Sequence, residues 1–66
     1  MDAKTIGDRL RKLRGDIPQG TVCNAVGISI SALSMYENGN RIPRDSIKIA
    51  LAKFYGKSVA SIFFAA

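Results

Sequence analysis

The side chains that could carry chemistry in this 66-residue chain are cations and small polar groups rather than nucleophiles or metal ligands. The sequence has ten Lys and Arg against five Asp and Glu, no histidine, and the single cysteine Cys23. One cysteine without histidine gives too few ligands for a zinc site and no base to activate the thiol. Asp8, Asp16 and Asp45 are scattered, so they suggest no general acid/base pair. We therefore predict a protein that is not an enzyme, with no catalytic residue, metal site or cofactor.

The net charge of +5 favours a polyanionic partner, either a nucleic acid or an anionic membrane surface. The sequence has no apolar run of bilayer-spanning length, and its N-terminal residues lack the apolar core of a signal peptide. We also find no predicted helix that is strongly basic on one face and strongly hydrophobic on the other. The sequence thus favours nucleic acid over a membrane partner. Because the single cysteine cannot form an internal disulfide, we expect a protein of a reducing, cytoplasmic setting.

The order of residues from position 19 to position 38 is typical of two short helices that cross closely. Cys23 is small where such helices would touch, and we expect it to be buried and unreactive. Gly27 can take the positive φ of a tight turn, and Leu33 with Tyr36 would anchor the second helix to a core. The exposed start of that helix would be free to enter a groove of DNA. The pattern predicts a helix-turn-helix at about residues 19–38.

Three further helices are predicted from hydrophobic spacing and from residues that cap helix ends. A first helix is expected from a cap at Thr5 to Gly15, and Asp16 with Pro18 predicts that the second helix begins there. The helix-turn-helix follows, with Ser29 as the cap of its second helix. A fourth helix is predicted between Pro43 and Gly56, and a short last helix after a cap at Ser58. The expected fold is all-α: a compact five-helix bundle forming a single domain over residues 1–66.

The segment QGTVCNAVGISISALSMYENG, followed by NRIP and an amphipathic helix, resembles the Cro/C1-type phage repressors, also called the Xre family. The resemblance extends from about Ile6 to Phe64. It implies a lambda-repressor-like fold, sequence-specific binding to double-stranded DNA as a homodimer, and transcriptional regulation, with repression as the first expectation. It also implies a structural ion pair between Arg14 and Glu37. A protein of this kind is expected to be bacterial or phage-encoded and associated with the nucleoid.

The helix that begins near Ser29 would be the recognition helix. Its exposed positions carry no side chain that can make the bidentate base contacts of Arg, Gln or Asn. Apolar contact with thymine methyl groups, hydroxyl hydrogen bonds and DNA shape would have to supply the specificity. The resemblance implies phosphate contacts for Gln19 and for residues of the turn after the recognition helix. The expected DNA-binding residues are Gln19, Ser29, Ile30, Ser31, Ser34, Met35, Asn38 and Arg41.

Several readings of the sequence stay open. Only four residues separate Arg14 from Gln19, fewer than is usual in the family, which leaves the tilt of the first helix open. The apolar residues on the recognition helix are also compatible with a protein-interaction module, such as an antitoxin or a regulatory adaptor, that keeps the fold with weak or no specific DNA binding. Adjacent Phe63 and Phe64 cannot both face the core, so one of them is expected to be exposed, which suggests either a dimer contact through the C-terminal helix or a chain that continues past Ala66. The residues proposed for that contact are Ile62, Phe63 and Phe64. The cations expected to be merely solvated are Arg9, Arg11, Lys12, Arg44 and Lys48.

Overall fold

Five helical segments surround one apolar core in the computed structural model, which describes residues 2–65. They are α1 (Ala3–Arg14), α2 (Gln19–Val26), α3 (Ile30–Glu37), α4 (Asp45–Tyr55) and a short C-terminal segment of π-helical geometry, α5 (Ala60–Phe64). The described residues contain no strand, so the predicted all-α, five-helix fold is confirmed. The same part of the chain contains no helix long and apolar enough to cross a membrane. The core consists of Ile6, Leu10, Val22, Cys23, Leu33, Tyr36, Leu51, Ala52, Ile62 and Phe63.

The start predicted for the first helix was wrong, and the second helix begins at Gln19, directly after Pro18 and not at Asp16. Helix α1 is capped by Asp2, whose carboxylate accepts hydrogen bonds from the Lys4 backbone N–H at 3.3 Å and the Thr5 hydroxyl at 2.7 Å. Thr5 therefore lies inside the first turn, and its hydroxyl lowers the pKa of the Asp2 carboxyl. Helix α2 begins at Gln19, with Pro18 in extended conformation before it. The residue before a proline is pushed away from helical angles, so a helix beginning at Asp16 would have to pass through a disfavoured position.

The turn between α2 and α3 follows the sequence prediction. Gly27 adopts a left-handed conformation with φ of 82°, and its N–H donates to the Cys23 carbonyl at 2.7 Å. The Ser29 hydroxyl then accepts from the Ala32 N–H at 3.0 Å, which caps the start of α3. Cys23 is buried between the helices, and this burial raises the pKa of its thiol. The turn thus fixes how α3 is presented beside α2.

Helix α1 crosses the C-terminal end of α3 at very short range through Gly7. A Cβ atom at this position would lie 2.6 Å from the Glu37 carbonyl oxygen and 2.7 Å from that of Tyr36. Only glycine lets the two backbones approach this closely. The sequence analysis did not identify this contact, which helps set the position of α3.

The C-terminal segment packs against α1 and leaves one aromatic side chain outside. Ile62 and Phe63 are buried in the core, whereas Phe64 is 59% exposed, so the prediction that the two phenylalanines diverge is confirmed. As a correction, Ile62 and Phe63 are not available for the dimer contact predicted for them, because the chain's own core encloses them. The predicted Ser58 cap is present, since its hydroxyl accepts from the Ser61 N–H at 3.1 Å.

Two cations expected to be solvated are instead held by this segment. Arg9 donates to the carbonyl oxygens of Ile62 and Ala65, both at 2.9 Å, because α5 lies alongside α1. The Lys48 side chain is buried, with its ammonium group 5.2 Å from the centre of the Phe64 ring. Its aliphatic stem can lie along apolar surface, which a pattern based on charge alone does not predict.

Candidate nucleic-acid interface

Helix α3 has one buried face and one exposed face. Leu33, Tyr36 and Glu37 are buried, which holds the helix against the rest of the bundle. On the opposite side Ile30 is 54% exposed and Met35 is 39% exposed. Ser31 and Asn38 are exposed on this side, and Ser34 is half-buried at its edge. The structure therefore places the predicted readers Ile30, Ser31, Ser34 and Met35 together on one surface, which we call the reading face.

The last residue of α3, Glu37, carries a buried carboxylate. Glu37 is only 3% exposed, and its Oε2 accepts from Arg14 Nε at 2.7 Å while its Oε1 accepts from Arg14 Nη2 at 3.1 Å. Arg14 Nη1 also donates to the Ile17 carbonyl at 2.9 Å. The hydrogen bond to Glu37 raises the pKa of the Arg14 guanidinium. This two-pronged contact links α1, the following turn and the end of α3, as an ion pair of structural function should.

Gln19 joins the same network from the start of α2. Its Nε2 donates to Glu37 Oε1 at 3.2 Å and to Ser34 Oγ at 3.3 Å. The side chain is half-buried, so it is not a freely solvated group. The first residue of α2 is thereby tied to the side of the reading face.

Arg11, which was expected to be solvated, holds the turn after α3. One of its terminal nitrogens donates to Asn38 Oδ1 at 2.7 Å and to the Glu37 carbonyl at 3.2 Å. A guanidinium only donates, so the oxygen of the Asn38 amide faces Arg11 and the amino group faces away from it. Sequence reasoning missed this role. The available signal was that Gly7, Arg11 and Arg14 recur at four and three residues and so share one side of α1.

The turn after α3 also exposes Arg41, the last of the predicted contact residues. The Asn40 N–H donates to the Met35 carbonyl at 2.9 Å, and Gly39 takes a φ of 75°. Arg41 and Arg44 are exposed and line a shallow groove of about 420 Å³ beside Ser29. The lining contains no acidic residue, and it includes Ser29 and Ala32, so the groove beside the start of α3 is positively charged. Within residues 2–65 no group of His, Cys, Asp or Glu is placed to hold a metal ion.

Two solved structures of other proteins have the same fold as this chain. The restriction-modification controller protein C.AhdI from Aeromonas hydrophila is similar with a TM-score of 0.83 and 25% identity, over 92% of this chain and 96% of that one. The DNA-binding domain of the P22 C2 repressor, residues 1–76, also gives a TM-score of 0.83, with 28% identity over 94% of this chain and 84% of that one. No curated protein matches the chain in sequence.

A family model described as helix-turn-helix matches residues 9–62. The matched range includes α2, the Gly27 turn and α3, and it ends within α5. The resemblance to Cro/C1-type regulators predicted from the sequence is confirmed. The chain belongs to the helix-turn-helix family.

Proposed function

We propose that this protein binds double-stranded DNA and regulates transcription, as a repressor, by placing α3 in the major groove. The observation that carries the proposal is the reading face, which is exposed on one side of a helix whose other side is buried and is followed by a turn that exposes the cation Arg41. A helix held in this way can present side chains to base edges without losing its own packing. The similarity to a restriction-modification controller and to a repressor DNA-binding domain supports the same role.

Phosphate contacts are proposed for the turn after α3. The amino group of Asn38 faces away from Arg11 and is therefore available to donate to a phosphate oxygen. Arg41, exposed in the same turn, supplies a cation next to it. Such contacts fix the position of a protein on DNA without reading its sequence.

Base contacts are proposed for α3. Ile30 and Met35 would pack against thymine methyl groups, and the hydroxyls of Ser29, Ser31 and Ser34 would form hydrogen bonds. We assign no catalytic role to this surface, and we place the protein in the cytoplasm, on the bacterial nucleoid.

A homodimer on an inverted repeat is part of the proposal. With Ile62 and Phe63 enclosed in the core, the exposed apolar side chains that remain at this end of the bundle are Phe64 of α5 and Ile49 of α4, each 59% exposed. They line a shallow depression of about 250 Å³ together with Val59. Burying these side chains against a second copy would remove apolar surface from water.

Selection from a pool of random duplexes tests specific binding and dimer formation together. We expect the enriched duplexes to share a sequence made of two half-sites related by a two-fold axis. Ile30→Ala and Met35→Ala should each weaken binding to the selected duplex by about 1 kcal/mol and change binding to random duplexes little, because base contacts specify while phosphate contacts position. Fluorescence anisotropy on both pools measures the difference.

The outcome also separates the proposal from the alternative of a protein-interaction module, which the exposed Ile30 and Met35 favour. Enrichment of no sequence would support that module and contradict the repressor. Equal losses on both pools in a folded variant would show that the residue does not read bases. Loss of a cooperative melting transition in Ile30→Ala would place Ile30 in the core.

A further inference from the structure

The orientation of the Gln19 amide is determined by its neighbours. The Glu37 carboxylate pairs with Arg14 and, as an ionised group, can only accept hydrogen bonds. The Gln19 atom that lies 3.2 Å from Glu37 Oε1 must therefore be the amino nitrogen. The same nitrogen lies 3.3 Å from Ser34 Oγ, which accounts for its second hydrogen. Both donors of the amide are used within the protein.

What remains of the Gln19 side chain for other partners is its carbonyl oxygen, which is an acceptor. Phosphate oxygens are acceptors as well, so this side chain cannot bond to a phosphate while it keeps its two internal hydrogen bonds. Releasing them would leave the buried Glu37 carboxylate with fewer donors, which is costly for a buried charge. The arrangement thus argues against the phosphate contact that the resemblance implied for Gln19.

Gln19 is left with a free acceptor, whereas Ser34 is left with a free donor. Its oxygen accepts from Gln19, and within residues 2–65 its hydroxyl hydrogen has no acceptor. Ser34 lies one helical turn after Ile30 and next to Met35 on the reading face. Because the hydrogen bond from Gln19 uses a lone pair of the Ser34 oxygen, the O–H group remains to donate from the reading face. The acceptors that a donor meets in the major groove are purine N7, guanine O6 and thymine O4.

We infer that Gln19 is a positioning residue for sequence reading, which holds the Ser34 hydroxyl as a hydrogen-bond donor toward a base acceptor in the major groove. The inference rests on the proposed DNA binding and assigns one chemical preference to one residue of the reading face. It gives Gln19 no side-chain contact with the DNA backbone.

The test compares Gln19→Met, Ser34→Ala and the double variant on the selected duplex and on random duplexes. Methionine matches glutamine in length but donates no hydrogen bond. We expect each single variant to lose about fivefold more affinity for the selected duplex than for random DNA, as for one lost base contact. The double variant should lose no more than either single one, because both changes remove the same contact. Selection repeated with Gln19→Met should lose the preference at one base position in each half-site. Asn24→Ala, which removes an exposed amide from the same helix, is the control and should retain the preference.

A second measurement needs no variant protein. Replacing each purine of the selected duplex by its 7-deaza analogue, one position at a time, removes a single N7 acceptor. If Ser34 bonds to N7, one such replacement should weaken the wild type about fivefold and leave Ser34→Ala unaffected. If the acceptor is thymine O4 or guanine O6, a base analogue that lacks this oxygen should weaken wild-type binding by a similar factor and leave Ser34→Ala unaffected.

Three results would overturn the inference while leaving DNA binding intact. In the first, Gln19→Met weakens binding to the selected and to the random duplexes equally and reduces the salt slope, as loss of a phosphate contact would. In the second, Gln19→Met changes the affinity for neither kind of duplex. In the third, the losses of affinity caused by Gln19→Met and Ser34→Ala add together in the double variant. Failure of the wild type to bind any duplex would instead overturn the proposed function itself, so the two failures are distinguishable.

Discussion

Gly7→Ala should lower the free energy of unfolding by about 3 kcal/mol, the upper end of what overpacking a well-packed site costs. The added Cβ would lie 2.6 and 2.7 Å from two backbone carbonyl oxygens at the end of α3. Backbone atoms cannot rotate aside as a side chain can, so α1 and α3 would have to move apart. In a domain of this size such a loss lowers the melting temperature by roughly 15 °C. Thermal and urea unfolding measure it.

Gly20→Ala provides a control with the same chemical change. Gly20 lies in α2, where an added Cβ would meet nothing within 4 Å. Alanine is the better helix former, so this variant should be unchanged or more stable by about 0.5–1 kcal/mol. Equal stabilities of Gly7→Ala and the wild type would show that α1 and α3 do not approach as described.

Glu37→Gln should cost about 3 kcal/mol, because it leaves the Arg14 charge without its carboxylate in a partly buried site. The substitution keeps the size of the side chain and one oxygen acceptor, so the lost charge is the main change. Arg14 retains 20% exposure, which allows water to offset part of the loss. Equilibrium unfolding in urea, with the slope of the transition compared between variants, measures the cost.

The matched control for this pair is Asp45→Asn. Asp45 lies 3.5 Å from Lys48, but its side chain is 94% exposed. Exposed pairs contribute about 1 kcal/mol or less, so this variant should lose far less stability than Glu37→Gln. If the two substitutions cost the same, the Arg14 and Glu37 pair contributes no more than a surface contact.

Hydrophobic spacing was sufficient to predict the helices and most of the core. Leu10, Leu33 and Leu51 each belong to the apolar stripe of a different helix, and each is fully buried. Helix starts were harder to predict, because several residues near each start could cap. Asp2 and Thr5 both carry a capping oxygen, and the structure uses the earlier one.

Contacts between residues distant in sequence could not be predicted from local patterns. Arg11 meets Asn38 across 27 positions, and Arg9 meets Ile62 across 53. A cation off the apolar stripe of a helix gives no sign of such a partner. Gly7 gave no sign either, since a glycine within a helix does not reveal which backbone passes beside it.

The composition of the reading face was predictable, because the buried positions of α3 leave the others outside. The orientation of the amides bordering it was not. Gln19 turns its amino group inward and Asn38 turns its own outward, and the atoms opposite each amide decide the difference. Those atoms belong to Glu37 and Arg11, whose positions depend on the whole fold.

The salt dependence of DNA binding tests the central claim most directly. Fluorescence anisotropy on a duplex, from low to physiological salt, should show log K falling linearly with log salt, with a slope of about −0.9 for each phosphate neutralised. Arg41→Ala should reduce the magnitude of the slope by about one unit and weaken specific and random binding together. The control is Lys57→Ala, which also removes one positive charge. Lys57 lies beside Arg9 and Lys12, on the side of α1 away from α3, so this variant should leave the slope unchanged. Binding that is absent at low salt, or that does not change with salt, would contradict the account.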